Sequence, residues 1–393
     1  MTTRDAPLFA IIAGEISGDR LGAGLMDALR ECFPGATFIG VGGEWMQARG
    51  LETLFPMERL SLMGITEIVP RLPELFRLRR RLLQYLRHAR PDVCITIDIP
   101  DFNLSLARRL RRHGLRTVHY VSPTVWAWRQ GRVRGIRRSV DLMLALFPFE
   151  ADFYERHGVP VRCVGHPMAD RLPMEPDGAE ARNALSLPGD APVLAILPGS
   201  RESEVARVLG DFLEAARLLR KRYPALVPCI AAVDRAREQQ IRAALAGHAL
   251  EHQVRVVTGQ GQAVMTASDL VLLASGTAAL EAMLLKRPMV VGYRVGRVSA
   301  AIAKRMLRVP WVSMPNLLAR EELVPELLQN DLRPRALAEA LAYWLDHPEE
   351  VATLRQRFAV MHRDLQRDAS RSAADAIAEL LRDASRQAGS GGR

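Results

Sequence analysis

The chain has 393 residues, 48% hydrophobic and 25% charged, the balance of a soluble globular protein long enough for two domains of ordinary size. No apolar run reaches the roughly 18 residues that cross a bilayer, and the start, MTTRDAPLFAIIAG, lacks the basic region and cleavage site of a secretory signal; a cytoplasmic protein is expected. The net charge of +10 is carried almost wholly by arginine, with Lys221, Lys286 and Lys304 the only lysines, and by itself it suits nucleic acid, an anionic membrane surface or phosphorylated substrates.

Short apolar runs alternate with helical patterns, which predicts parallel sheets covered by helices. In the first half strands are expected over 8–13, 37–41, 93–97, 117–121 and 142–146. Residues 163–192, rich in Pro, Gly and Asp, read as a linker. A second set follows at 193–197, 227–232, 254–257, 270–274 and 289–292, and from Pro334 the pattern is helical up to a Gly/Ser tail. The expected division is an N-terminal doubly wound domain over 1–168, a second over 169–345, helices over 346–384 and a flexible tail over 385–393. Cys32, Cys94, Cys163 and Cys229 are too scattered for zinc or a disulfide framework and read as reduced core thiols.

Loops at the carboxyl ends of parallel strands are where α/β sheets bind ligands. The first, GEISGD at 14–19, presents Ser17, Gly18 and Asp19 at a helix start. It can bind an anion or hydroxyl, or be a plain turn, and it is not the GxGxxG of a nicotinamide site. Next, ITEIVPRLPELFRLRRR at 65–81 sets Ile68, Val69, Leu72, Leu75 and Phe76 before four arginines. That pattern fits a surface dipping into anionic lipid, or a core-facing helix with a solvated basic face. In CITIDIPDFN, residues 94–103, Asp98 leaves a strand and Asp101 precedes a helical pattern, where an N-cap is expected. HYVSPTVWAWR at 119–129 offers Ser122 and Arg129 as polar groups, with Trp126 and Trp128 reading as packing residues.

In the second half, ILPGSRESEV at 196–205 opens a helix with Ser200 and Arg201. A cation in the first helical turn opposes the helix dipole unless an anion lies between them, so either a phosphate binds there or Arg201 pairs with Glu204 or Glu202. ASGTAALE at 274–281 puts Ser275, Gly276 and Thr277 at another helix start, with Glu281 one turn further on and able to accept from both ribose hydroxyls. Two such turns favour a nucleotide-diphosphate site over a pair of ordinary caps.

GEISGDRLGAGLM, LMGITEI, IDIPDFN, HYVSPTVWAWRQ, PFE, GHPMAD, LPGSRESEV, LLASGTAALEAML, VVGYR and MPNLL occur in this order. The chain thereby resembles the lipid-A-disaccharide synthase family from about residue 8 to its helical end. The resemblance implies an α/β protein of the GT-B class, with two Rossmann-like doubly wound domains facing across a cleft and a helical C-terminal end. It implies inverting transfer of 2,3-diacylglucosamine from its UDP derivative to the 6-hydroxyl of 2,3-diacylglucosamine 1-phosphate, at the inner leaflet of a Gram-negative bacterium's inner membrane. Asp98 is then the expected general base, with Glu15 as the alternative; Ser200, Arg201, Ser275, Gly276, Thr277, Glu281 and Asn316 are the expected donor contacts. No cofactor is implied, and no metal: the chain has no DxD motif, so helix N-termini and arginine would stand in for magnesium. The membrane surface, rather than nucleic acid, accounts for the arginines, and the helical end leaves room for a homodimer. The rival of the same architecture is a UDP-N-acetylglucosamine 2-epimerase.

Overall fold

The computed structural model describes residues 6–60, 65–296, 300, 305–306 and 308–390. Two compact units result: one holds the chain up to Asp170 together with the residues from Leu365 onward, the other Arg171–Asp364.

The first unit is built on seven parallel strands: β1 (Leu8–Ile12), β2 (Thr37–Val41), β3 (Leu51–Thr53), β4 (Val93–Ile97), β5 (Thr117–Tyr120), β6 (Leu142–Ala145) and β7 (Val161–Cys163), in the order β3-β2-β1-β4-β5-β6-β7. Its central strands, LFAII and VCITI, are buried at every position, because helices cover both faces of a parallel sheet and leave no polar side to alternate with. The second unit has six: β8 (Val193–Leu197), β9 (Val227–Ala232), β10 (Arg255–Thr258), β11 (Leu270–Ala274), β12 (Met289–Tyr293) and β13 (Glu326–Leu328), in the order β10-β9-β8-β11-β12-β13.

In each sheet the chain starts in the middle and winds outward in both directions. The reversal falls between β1 and β4 in the first sheet and between β8 and β11 in the second. Ligands of open α/β sheets bind outside the strand ends at that reversal. The loops there are those of Glu15 and Asp98 in one unit, and of Arg201 and Ser275 in the other.

Three outer strands, β3, β7 and β13, have three residues each and escape the sequence pattern, which needs a run of four or more to register. The segment expected as linker begins on the last residue of β7 and holds the helices Pro167–Arg171 and Gly178–Ala184. The last helix, Ala369–Ser390, packs on the helix Ile16–Cys32 and so returns the chain to the first unit. It continues through most of the stretch expected as a tail, since Arg, Gln and Ala propagate a helix already nucleated; 391–393 lie outside the described residues. Cys94 and Cys229 are buried, Cys32 and Cys163 half-buried, and all four are free thiols.

Candidate active-site residues

At the end of β4 the backbone turns through two consecutive residues of positive φ, Asp98 at 53° and Ile99 at 35°. A β-branched residue seldom adopts that region, so something must hold the corner. Asn103, fully buried, donates from Nδ2 to the Ile97 and Asp98 carbonyl oxygens, each at 2.9 Å. Asp101 does not cap the helix. Pro100 occupies the first position of Pro100–Arg112, where its missing N–H costs nothing, and this moves Asp101 one residue inside, where it is exposed and paired with Arg132.

Asp98 is half-buried, and burial pushes its pKa up to about 6, reinforced by the negative charge of Glu15 and opposed by a hydrogen bond from Ser17. Gly18 makes room for it: a β-carbon there would stand 3.0 Å from Asp98 Oδ2. Glu15, Ser17, Gly18 and Asp98 are therefore brought together. Asp19 is not part of this group. It is buried and accepts from the backbone N–H of Gly43 (2.9 Å), Trp45 (3.0 Å) and Met46 (3.2 Å), capping the short helix Glu44–Gln47.

The loop after β5 is anchored by a residue that the sequence reading passed over. Glu150, buried in the helix Pro148–Arg156, accepts from Trp126 Nε1 at 3.2 Å and from the Leu146 and Phe147 N–H groups at 3.2 and 3.3 Å. Burial drives its pKa up to about 7, with these bonds pulling it back. Ser122 is buried too, donating to Pro123 O (3.2 Å) and lying 3.3 Å from the Tyr154 hydroxyl. Trp126 is a packing residue, as expected, while Arg129 is exposed with its guanidinium 4.3 Å above the Trp128 ring. Tyr120, fully buried, has a hydroxyl without a hydrogen-bond partner among the described residues, and its proton is held more tightly by burial and by the charges of Asp170 and Asp98. Nothing in the PFE motif flagged Glu150, because one carboxylate in a helical first turn usually faces solvent.

On the helix Ile65–Ala89, Leu72 is 38% and Phe76 56% exposed, and Leu75 is half-buried. The side chains of Ile68 and Val69 lie outside the described residues.

In the second unit one cavity of about 510 Å³ collects Ser200, Arg201, Ser275, Gly276, Thr277 and Glu281. Arg201 stands just before the helix Glu202–Arg222 rather than in its first turn; Glu204 reaches back to accept from the Ser200 and Arg201 N–H groups, each at 3.2 Å, and from the Arg201 guanidinium at 3.3 Å. Here a carboxylate offsets the conflict between cation and dipole. Arg201 remains 79% exposed on its side chain. Opposite, Gly276 precedes the helix Thr277–Leu284, and a side chain added there would meet nothing within 4 Å, so the turn lies open to close approach. Glu281 is half-buried, its pKa raised by burial and drawn down by Arg171.

Asn316 does not join them. It is fully buried, donating to Val324 O (2.9 Å) and Glu326 Oε1 (2.8 Å) and accepting from the N–H groups of Leu323 (2.8 Å) and Val324 (3.0 Å). All its hydrogen-bonding capacity goes into closing the loop that leads to β13. Among the described residues no three His, Cys, Asp or Glu side chains are grouped to hold a metal.

Residues 9–380 match the family model described as lipid-A-disaccharide synthetase. The chain is 55% identical, over 97% of its length and all of the relative's, to the lipid-A-disaccharide synthase of Alcanivorax borkumensis. It is 52% identical to that of Pseudomonas aeruginosa, over 95% of this chain and 97% of the other. Among solved structures, the UDP-GlcNAc 2-epimerase of Neisseria meningitidis bound to UDP-GlcNAc shares the fold at TM-score 0.62 and 13% identity, over 96% of this chain and 99% of the other. A glycosyltransferase from Rickettsia africae does so at TM-score 0.58 and 11% identity, over 96% and 99%. With two Rossmann-like parallel-sheet units and a family match that runs almost end to end, the chain belongs to the lipid-A-disaccharide synthase family of glycosyltransferases.

Proposed function

We propose that this enzyme transfers 2,3-diacylglucosamine from its UDP derivative to the 6-hydroxyl of 2,3-diacylglucosamine 1-phosphate, giving a β-1,6-linked disaccharide phosphate and UDP. The observation that carries the mechanism is the half-buried Asp98 carboxylate, at the end of a strand beside the sheet reversal, with its pKa up to about 6. A base with that affinity is ionised at neutral pH yet takes a proton readily in the transition state. Asp98 removes the proton from the acceptor hydroxyl as the hydroxyl oxygen attacks the anomeric carbon. The bond to UDP breaks on the opposite face, and configuration inverts.

The departing diphosphate gathers negative charge. Arg201 and the N–H groups at the starts of the helices Glu202–Arg222 and Thr277–Leu284 are suited to receive it. Arg201 exchanges Glu204 for phosphate in this reading, and Glu281 accepts from the ribose hydroxyls. The clamp needs no magnesium.

Exposed Leu72 and Phe76 beside the arginines of 77–81 support peripheral attachment to the anionic inner leaflet, from which both acylated substrates are drawn. The test is UDP release from detergent-dispersed, defined-acyl donor, with and without acceptor. Release that requires the acceptor, with a disaccharide phosphate formed, supports the reading. Turnover of water-soluble UDP-N-acetylglucosamine without acceptor would replace it with an epimerase.

A further inference from the structure

A second cavity, of about 270 Å³, opens in the first unit at the corner that follows Asp98. One wall is the corner that follows the aspartate, through Ile99 and Phe102; the other is the helix Ile65–Ala89, through Leu72, Leu75, Phe76 and Arg79. We propose that this pocket receives one acyl chain of the acceptor and limits its length, with Arg79 meeting the acceptor's negative charge. The proposal rests on the transferase reading above.

Four observations carry it. The lining is mainly apolar yet incompletely covered, with Phe76 56% exposed, which is unfavourable for a large aromatic side chain unless something apolar comes to lie on it. The pocket wall begins at Ile99, one residue from the base, so an amphiphile whose hydroxyl meets Asp98 has a chain within reach. The positive φ of Ile99 gains a reason here, because that turn directs its side chain over Gly14, where a β-carbon would collide with it, and into the wall. Arg79 supplies the complementary charge. It lies 4.8 Å above the Phe76 ring, and its Nε has no hydrogen-bond partner among the described residues. Burial and the neighbouring Arg109 weaken its hold on its proton, so an anion there would be welcome. Asp101 also lines the cavity, but its carboxylate is paired with Arg132, so mainly apolar walls with Arg79 as their cation match a chain attached to a phosphorylated head.

The volume bears on length. A cavity of about 150 Å³ takes one benzene, so 270 Å³ holds on the order of ten chain carbons. Each buried methylene should improve acceptor use by roughly fourfold until the pocket is full.

The experiment measures kcat/KM of the full-length enzyme for acceptors of increasing acyl length at one fixed donor, and for donors of increasing length at one fixed acceptor. For the wild type a steep rise with acceptor length that flattens near ten carbons is expected, with no such break for the donor. Leu72→Trp, at a position exposed enough to tolerate the larger ring, should shift the break to shorter acceptors and lower the long-to-short preference at least tenfold. Arg79→Gln should raise KM for the phosphorylated acceptor while leaving that for its dephosphorylated analogue unchanged. A break that follows donor length, or Leu72→Trp slowing short and long acceptors equally, overturns the proposal. A wild type that transfers to none of these acceptors overturns the transferase reading instead.

Discussion

Asp98 Oδ2 lies 3.0 Å from the point at which a β-carbon on Gly18 would stand. The same added carbon would be 3.4 Å from Ala13 Cβ and from Ile97 Cγ2, so the backbone of the first helix and the end of β4 are in contact without slack. The only group free to yield is the carboxylate. Gly18→Ala should therefore displace Asp98 and lower kcat by up to about a hundredfold, while the melting temperature stays near that of the wild type. Steady-state kinetics beside a thermal melt decides it: full activity in the variant would remove Asp98 from the reacting centre.

As the proposed base, Asp98 should set the acid limb of the pH profile through its pKa. Its useful form is the carboxylate, so kcat/KM should hold above about pH 6 and fall about tenfold per pH unit below it. Glu15→Gln removes a negative neighbour that holds the pKa up; the limb should move to lower pH with activity retained at neutrality. Asp98→Asn should cost between about 10² and 10⁴ in kcat and leave UDP binding intact. If instead Glu15→Gln is the inactive variant, the base is Glu15.

Arg201 and Glu204 can be separated. Arg201→Ala removes the cation but keeps the carboxylate that serves the helix start, so UDP affinity should fall about tenfold or more with little change in stability. Glu204→Ala should do the reverse in part, costing about 1 kcal/mol of stability through the lost cap. Calorimetric titration with UDP, paired with denaturant melts, tells the two apart, and unchanged UDP affinity in Arg201→Ala would refute the phosphate role.

Glu150 makes folding stability depend on pH. Its pKa rises from an ordinary carboxyl value to about 7 in the folded state, so the folded protein binds that proton more tightly than the unfolded chain. The associated stability is present below about pH 4.5 and lost as pH rises through 7, amounting to at most about 3 kcal/mol. Glu150→Gln carries no such proton. Its stability deficit relative to the wild type, read from chemical denaturation at several pH values, should shrink between pH 5 and 7.5; a constant deficit would mean that Glu150 does not titrate in this range.

What was legible in the sequence follows from what repeats locally. Every strand of five or more residues announced itself, because a buried parallel strand is a continuous apolar run, and the turns holding Asp98, Arg201 and Ser275 to Glu281 were found because glycine, proline and small hydroxyl residues punctuate strand ends. The motifs also sufficed to identify the family. Tertiary structure alone decided which polar residues line the proposed site and which are consumed within the fold. Asp19 and Asn316 look like binding residues in one dimension, yet each is spent on backbone N–H groups 24 to 27 and 7 to 8 residues away. Asp101 lost its expected cap because Pro100 took the first helical position, and Asn103, unremarked in the sequence, holds the corner instead. The proton affinities of Asp98 and Glu150 are likewise set by burial and by neighbours distant along the chain, which no local pattern of residues encodes.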